Sequence, residues 1–421
     1  MKPAIRRYFI IILTAALAVI LMNLQAAAGL LTRGEDDYSS VAVRVLQKNN
    51  FVRNLGPQDF EVLEAGRACQ IESIFLVENN KLTRILGEKP REVSLHQNYF
   101  LIVQASDYDK KLGDAVGLLV NNYFQPGDTL TLITPLKVYR FNPETLRGKP
   151  KSQLNQEIQN IVRADIIQGS REYNTVLRDL KKITRTLATF GGESTGADPE
   201  VENESDSIST NFGIEYILSR YQDTLVKLDG LRLVDQNKFL SFARSLEKIP
   251  GQKTVIFFYQ REFRPELSSK VLDLMMSSYQ DYPHIINTLM ELFQFYRRET
   301  RLDKETVSRA LAESGAVFNF VYLDKKPVRI SGVVMNEQSE DVFEALSEAA
   351  RATGGIADNT YNPVEGLRKS AENISSYYLL YYRSESQPEQ LSSSQVQVTV
   401  KNGRDYQVRY RRVNFPPASS E

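Results

Sequence analysis

The sequence predicts an α/β fold with a mainly parallel sheet, helices on both faces and helical insertions. Four short apolar segments lack the alternation of a half-exposed strand, which is typical of strands buried on both faces: residues 99–103, 130–133, 255–259 and 317–323. Segments with helical spacing separate them, and that order favours parallel pairing. Period-two patterns at the two ends of the chain predict a small N-terminal β module and a C-terminal β hairpin.

Residues 1–28 have the pattern of a secretory signal peptide. Three basic residues precede an uncharged, mostly apolar segment over residues 8–24, and small residues follow up to Ala28, the expected cleavage position. We therefore predict an exported protein, periplasmic or extracellular. The alternative is an uncleaved membrane anchor, because about 16 apolar residues is slightly fewer than the roughly 20 that a spanning helix needs. No second such segment follows, so no membrane span is expected after cleavage.

Composition excludes several classes of protein. The chain has 421 residues, 52 basic and 52 acidic residues, one cysteine and two histidines. A disulfide framework, a zinc finger and an iron–sulfur site all need more cysteine or histidine than this. The balance of basic and acidic residues argues against nucleic-acid binding, and removal of the basic leader leaves a slight acidic excess. The single Cys69 lies in a strand-like stretch and is interpreted as a small buried side chain.

Residues 39–78 predict a small antiparallel β module. Val41, Val43 and Val45 alternate with polar residues, Gly56 and Pro57 indicate a turn, and the apolar pattern then resumes. A polar stretch up to residue 97 links this module to the next domain.

Residues 98–383 are assigned to the α/β domain. Its first helix is predicted between Asp109 and residue 124, because an acidic cap precedes it and Pro126-Gly127 ends it. Two helical insertions are expected at about 142–235 and 265–312. The stretch 191–209 within the first insertion is acidic and rich in glycine and serine, which predicts a mobile loop.

Residues 384–415 predict a β hairpin packed on the domain, with Asn402-Gly403 as a type I′ turn between two alternating segments. The tyrosine-rich strand 377–382 precedes it. One of its faces is expected to pack under the preceding helix and the other to meet solvent; a partner-contact surface is the alternative. The hairpin arginines are interpreted as a solvated edge that discourages strand pairing: Arg404, Arg409, Arg411 and Arg412.

Several motifs resemble those of the von Willebrand factor type A domain. Residues 103–106 (Val-Gln-Ala-Ser) end the first buried strand, and residues 126–133 (Pro-Gly-Asp-Thr-Leu-Thr-Leu-Ile) follow the first helix. Across residues 40–415 the chain resembles the exported bacterial proteins related to that domain, typical of Acidobacteria and neighbouring groups. Three further segments share that resemblance by order and spacing: 55–66 (Leu-Gly-Pro-Gln-Asp-Phe-Glu-Val-Leu-Glu-Ala-Gly), 249–253 (Ile-Pro-Gly-Gln-Lys) and 377–382 (Tyr-Tyr-Leu-Leu-Tyr-Tyr).

The resemblance implies a metal-ion-dependent adhesion site, and this chain departs from it. The family pattern Asp-x-Ser-x-Ser falls on Gln104, Ser106 and Tyr108, so one ligand position of three remains. The later family aspartate is missing where Gln260 and Arg261 stand, and an arginine repels a cation. The resemblance therefore implies a degenerate site without metal or other cofactor.

Asp107 and Asp109 offer a shifted pair of carboxylates for a hard cation. Lysines follow them directly, and two acids before a helix are more often N-terminal caps. We interpret them as caps and keep an adhesion module dependent on Mg²⁺, Mn²⁺ or Ca²⁺ as the alternative.

No catalytic constellation is visible. His96 precedes the first buried strand and His284 begins a helix, so neither stands at a strand end where a catalytic base would. Phosphate-binding glycine loops are absent, and no spacing singles out a carboxylate pair, so a carboxylate-based envelope hydrolase is only a second alternative.

The sequence thus predicts a non-enzymatic interaction or adhesion module that binds a protein or a cell-envelope component. The expected binding rim is the carboxyl end of the sheet, at Ser106, Asp107, Asp109, Gln260 and Arg261. The sequence predicts neither the partner nor the oligomeric state.

Overall fold

The computed structural model describes these parts of the chain: residues 38–48, 50–78, 81–87, 95–146, 148–190, 211–231, 234–297, 302–383, 396–401 and 405–413. The predicted signal peptide, the acidic stretch 191–209 and the Asn402-Gly403 turn lie outside the described residues. Within them, none of the helices combines the length and the apolar character needed to cross a membrane.

The strands of the described residues are β1 (Tyr38–Gln47), β2 (Asn50–Phe51), β3 (Phe60–Glu64), β4 (Arg67–Cys69), β5 (Ile71–Glu78), β6 (Lys81–Leu86), β7 (Gln97–Gln104), β8 (Thr129–Ile133), β9 (Val138–Phe141), β10 (Gln252–Gln260), β11 (Phe263–Leu267), β12 (Val317–Leu323), β13 (Val333–Glu337), β14 (Ala357–Thr360), β15 (Ser376–Arg383), β16 (Val396–Val400) and β17 (Tyr406–Val413).

The α-helices are α1 (Lys110–Leu118), α2 (Pro143–Leu146), α3 (Lys151–Gly169), α4 (Arg171–Phe190), α5 (Asn211–Gly230), α6 (Gln236–Glu247), α7 (Ser269–Ser278), α8 (Pro283–Tyr296), α9 (Lys304–Glu313), α10 (Glu340–Ala352) and α11 (Pro363–Ser375). A turn of π-helix at Leu119–Tyr123 extends α1. The one long helical pattern of the first insertion is broken at Ser170 into α3 and α4.

The central sheet has the strand order β14-β12-β10-β7-β8-β9. The four apolar segments form its neighbouring strands β12, β10, β7 and β8, which pair in parallel. Apolar side chains of α1, α3 and α11 cover one face, and those of α6, α9 and α10 cover the other. Burial on both faces explains the absence of alternation in β7, β10 and β12. Burial alternates along β8, so the expectation of a strand buried on both faces is wrong for residues 130–133.

The predicted mainly parallel fold of the von Willebrand factor A type is nevertheless wrong. Of the thirteen strand pairings in the described residues, nine are antiparallel. Three further sheets contain only antiparallel pairs, and the central sheet itself is mixed because β9 pairs antiparallel with β8. The two ends of the chain thus contribute far more antiparallel structure than a small module and a hairpin.

The ends of the chain together build a β sandwich. One sheet has the order β17-β1-β15-β5-β6, with β2 beside β1, and it faces the three-stranded sheet β16-β3-β4. Val41, Val43, Phe60, Tyr378 and Val398 belong to the shared apolar core of these two sheets. The predicted N-terminal module is therefore completed by C-terminal strands.

The predicted C-terminal hairpin is wrong, because β16 and β17 pair with other strands. Strand β16 pairs with β3, with Val398 opposite Val62, whereas β17 pairs with β1, with Tyr410 opposite Val43. The two consecutive strands belong to facing sheets of the sandwich. The Asn-Gly turn motif is a local signal, and it contains no information about strand partners that are more than 300 residues away in sequence.

The tyrosine-rich strand β15 is buried on both faces. Tyr378 and Tyr382 point into the sandwich core, while Tyr377 and Tyr381 pack with Phe75 in a second apolar cluster on the opposite face. The expected solvent face and the alternative partner-contact face are both wrong, since each face meets another layer of the protein.

Helices α4, α5, α7 and α8 form a cluster with its own apolar core, joined by Leu267 of β11. The small sheet of β11 and β13 was not predicted. This cluster comes from both predicted insertions.

Candidate binding cleft

The parallel strands of the central sheet all end at one edge. Strand β7 ends at Gln104, β10 at Gln260 and β12 at Leu323, and loops beyond these positions supply polar side chains. Ligands of open α/β sheets bind at this carboxyl-end edge, so it is the first place to look for a site.

Gln260 joins the end of β10 to the loop after β7. Its Oε1 accepts hydrogen bonds from the Ser106 amide (2.9 Å), the Ser106 hydroxyl (3.0 Å) and the Asp107 amide (2.9 Å). Two predicted rim residues and Gln260 are therefore in direct contact. An oxygen that accepts from three protein donors has its lone pairs directed at the protein, and it holds this loop in one position.

Asp107 forms an ion pair with Lys325, which lies just beyond β12. Lys181 of α4 is close to both groups: burial lowers the pKa of Lys181, the charge of Lys325 lowers it further, and the charge of Asp107 raises it. The Asp107 carboxylate thus already has cationic neighbours from this chain.

Asp109 caps α1, where its side chain accepts a hydrogen bond from the Lys111 amide (2.9 Å). The capping interpretation is confirmed for Asp109 and wrong for Asp107, whose carboxylate pairs with Lys325 instead. In the part of the chain that the structure describes, no group of three or more His, Cys, Asp or Glu side chains is arranged to hold a metal ion.

Arg261 turns away from the other rim residues. Its guanidinium pairs with Asp324 (2.7 Å) and Glu337 (3.2 Å) and lies over the Tyr322 ring, 5.3 Å from the centroid. The Tyr361 hydroxyl also binds Asp324, and this hydrogen bond raises the pKa of Tyr361. Arg261 is therefore an ion-paired part of the rim.

A cleft of about 710 Å³ opens beside this network, between the loop after β7, helices α1 and α3, and the start of α4. Charged and amide side chains line it, among them Lys110, Asp114, Gln159, Arg163 and Asn174. Asn174 donates to the Ser106 carbonyl (2.7 Å), so α4 covers part of the rim. Ser106 is only 3% exposed, and the cleft is the open part of this edge.

Two glycines on α1 allow the wall of the cleft to form. A Cβ at Gly117 would lie 3.1 Å from the side chains of Asn155 and Gln159 on α3, and a Cβ at Gly113 would lie 2.8 Å from the Tyr108 hydroxyl. Gln159 also donates to the Gly113 carbonyl (2.8 Å). Side chains of α3 therefore lie directly on the backbone of α1.

Tyr108 stands between charges of opposite sign. Burial raises the pKa of Tyr108, the charge of Arg163 lowers it, and the charge of Asp114 raises it. Among the described residues, neither Arg163 nor Lys110 belongs to an ion pair. The cleft thus presents two cations that are free to meet acidic groups of a ligand.

The histidines and the cysteine lie elsewhere. His96 precedes β7 at the opposite edge of the sheet, His284 at the start of α8 contacts Glu215, and Cys69 ends β4. The cleft lining therefore offers hydrogen bonds and charges, and it contains no thiol or imidazole nucleophile.

Comparison with known proteins gives no family: no protein-family model matches the chain, and no curated protein matches it either. The resemblance inferred from the sequence motifs therefore stays a prediction.

The sequence interpretation missed Lys325, Asn174 and Arg163. Lys325 had a usable signal, because it follows a buried strand whose end had to meet the ends of β7 and β10. Asn174 and Arg163 had none, since nothing local shows which face of an inserted helix returns to the sheet.

Proposed function

We propose that this chain is an exported binding protein whose cleft engages a protein or a cell-envelope component, without catalysis and without metal. The observation that supports the proposal best is the open cleft of about 710 Å³ with two unpaired cations beside amide groups. Its volume is within the range of about 300–1,000 Å³ that is usual for ligand sites. The signal-peptide pattern of residues 1–28 supports export.

The composition of the cleft favours a polar segment of a macromolecule over a small apolar ligand. Small-molecule sites are mostly lined by apolar and aromatic side chains. Most residues that line this cleft carry a charge or an amide, among them Lys110, Arg163, Asp114 and Gln159. Arg163 and Lys110 would bind acidic groups of the partner, and the amides would bind its backbone or hydroxyl groups.

The proposal is tested by comparing wild type with Arg163→Glu for capture of partners from envelope extract, followed by affinity measurement with each purified partner. We expect charge reversal to weaken binding at least about tenfold, because it replaces an attractive contact with a repulsive one. Arg84→Glu on the exposed strand β6 is the matched control and should bind as wild type does. Equal binding by Arg163→Glu would contradict the proposal.

Two additional measurements separate the alternatives. Capture that persists in EDTA supports metal-free binding, whereas its loss in EDTA would favour the metal-dependent alternative at Asp107 and Asp109. Export is tested by mass spectrometry of the protein from the expressing cell, with Gly29 expected as the first residue.

A further inference from the structure

Three arginine side chains converge at the opposite edge of the central sheet, where the sandwich packs against the starts of β10 and β12. Arg44 of β1 and Arg409 and Arg411 of β17 line one groove with an internal space of about 30 Å³. The groove also includes Gly354 after α10 and Asn373 near the end of α11. We call this feature the arginine groove.

Strand register places these arginines together. In the antiparallel pair of β1 and β17, Arg44 is directly opposite Arg409, and Ala42 is opposite Arg411. Residues 409 and 411 are two apart and therefore share a face of the sheet. Like charges directly opposite each other destabilise a strand pair, so this arrangement needs a compensating interaction.

Among the described residues, these guanidiniums donate hydrogen bonds only to neutral oxygens, including the Ser376 carbonyl (3.5 Å from Arg44) and Gln407 Oε1 (3.2 Å from Arg409). Arg44 donates to the carbonyl of Glu372, and its Nε is buried without a hydrogen-bond partner. Arg409 donates to the Asn373 side chain (3.0 Å). Arg411 makes only long contacts, 3.4 Å to the Lys253 carbonyl and 3.5 Å to Gln252 Oε1.

The residues that the structure describes balance the charge in the arginine groove only in part. None of its three arginines forms an ion pair with a carboxylate of the described chain, and the exposed carboxylate of nearby Glu372 lies 3.9 Å from Arg368. The C-termini of α10 and α11 contribute about −0.5 charge each. The charge of Glu372 also acts on Arg44, whose pKa it raises. Against three guanidiniums this leaves at least about one positive charge without a counter-charge.

Helix capping alone does not explain the cluster. Arg44 and Arg409 contact the last turn of α11, but Arg411 contacts β10, and the buried Nε of Arg44 has no acceptor. The pKa of Arg44 is lowered to about 10, because burial and the neighbouring charge of Arg409 lower it more than the charge of Glu372 raises it. Burying guanidiniums beside each other costs free energy through desolvation and repulsion, and such clusters of buried cations are typical of anion-binding sites.

We infer that the arginine groove binds a small oxyanion of the phosphate class. A guanidinium donates two parallel hydrogen bonds to phosphate oxygens. The positive charge of three guanidiniums suits the double negative charge of a phosphate dianion. The internal space of about 30 Å³ is small, so an oxyanion would place some of its oxygens against the guanidiniums and keep its remaining atoms at the surface. The phosphate can belong to a soluble ion or ester, or to a lipid headgroup.

Calorimetric titration of the full chain with inorganic phosphate, at constant ionic strength, tests this inference. We expect saturable binding to one site, and at least about tenfold weaker binding in Arg409→Gln and in Arg411→Gln. Arg84→Gln removes the same charge from exposed strand β6 and should bind phosphate as wild type does. Arg409 is half-buried at the edge strand, so Arg409→Gln remains informative if Arg411→Gln does not fold.

Thermal unfolding adds a measurement that a purely structural role would not affect. Saturating phosphate should raise the Tm of wild type by roughly 3 °C more than that of Arg409→Gln.

Flotation with phosphatidylcholine vesicles, with and without phosphatidylglycerol, distinguishes the two sources of the phosphate. Vesicle binding by wild type that is lost in Arg409→Gln assigns the site to a lipid headgroup. Binding of inorganic phosphate without binding of vesicles assigns the site to a soluble ligand. No saturable heat in wild type, or equal affinity in Arg409→Gln, would overturn the inference.

Discussion

The two edges of the central sheet differ in whether their charged side chains form ion pairs. At the carboxyl-end edge, Asp107 pairs with Lys325 and Arg261 pairs with Asp324, while the neutral Gln260 ties two strand ends together. At the amino-end edge, the arginine groove gathers cations whose partners are carbonyl and amide oxygens.

The difference shows how the neighbouring layers of the protein shape the side-chain chemistry at the two edges of one sheet. An inserted helix covers part of the carboxyl ends of the parallel strands, and the β sandwich covers their amino ends. Ion pairs and hydrogen bonds within the chain make the carboxyl-end edge a preorganised wall beside the cleft. At the amino-end edge, positive charge that is only partly compensated should make the stability of the protein depend on added anions and on pH.

The largest effect is expected from Gln260→Leu, which removes the acceptor of three hydrogen bonds at the carboxyl-end edge. The unsatisfied donors should lower the free energy of unfolding by about 2–3 kcal/mol, measured by urea denaturation. Gln260→Glu keeps an acceptor oxygen and should stay within about 1 kcal/mol of wild type. A Gln260→Leu variant as stable as wild type would show that this edge does not depend on the contact.

A smaller effect is expected from pH at the amino-end edge. Burial, aided by the charge of Arg411, lowers the pKa of Lys253 from 10.5 to about 8. Between these values the unfolded chain binds more protons than the folded chain, so stability rises with pH. Wild type should gain about 1–2 kcal/mol between roughly pH 7.5 and pH 9.5 in urea denaturation.

Lys253→Met should abolish most of this gain, because it removes the titrating group. Lys110→Met, at the exposed mouth of the cleft, is the matched control and should retain the gain. An unchanged pH dependence in Lys253→Met would show that burial of cations at the amino-end edge is not the cause of the gain.

The smallest effect is expected from the ion pair of Asp107 and Lys325, whose side chains are 50% and 30% exposed. Solvent screens such a pair, so a double-mutant cycle with Asp107→Asn and Lys325→Met should give a coupling of less than about 1 kcal/mol. Concentrated salt should reduce it further. A coupling well above this value would show that the pair, and not Gln260, dominates the carboxyl-end edge.

Local patterns predicted the elements of the fold better than their assembly. The segments 255–259 and 317–323 are buried strands, and Asp109 caps a helix, because burial on both faces and capping leave signals in adjacent residues. The pairing of β16 with β3 left no such signal, and a strong local turn motif pointed to the wrong partner.

The candidate sites show the same division. Ser106, Asp107 and Gln260 were predicted to lie together and do contact each other, because parallel strand ends must share an edge. Arg409 and Arg411 were predicted to form a solvated edge. They belong to edge strand β17, but their guanidiniums turn into the arginine groove and contact α11 and β10.

The sequence by itself determined which segments are buried, where the first helix begins, and which residues stand at the strand ends, since these follow from residue type and spacing along the chain. Tertiary structure alone decided that the chain ends close into one sandwich, that β15 has no exposed face, and that three arginines meet without an ion pair to a carboxylate of the described residues. The physical reason is that pairing and charge compensation depend on which distant segments become neighbours, and local spacing does not contain that information.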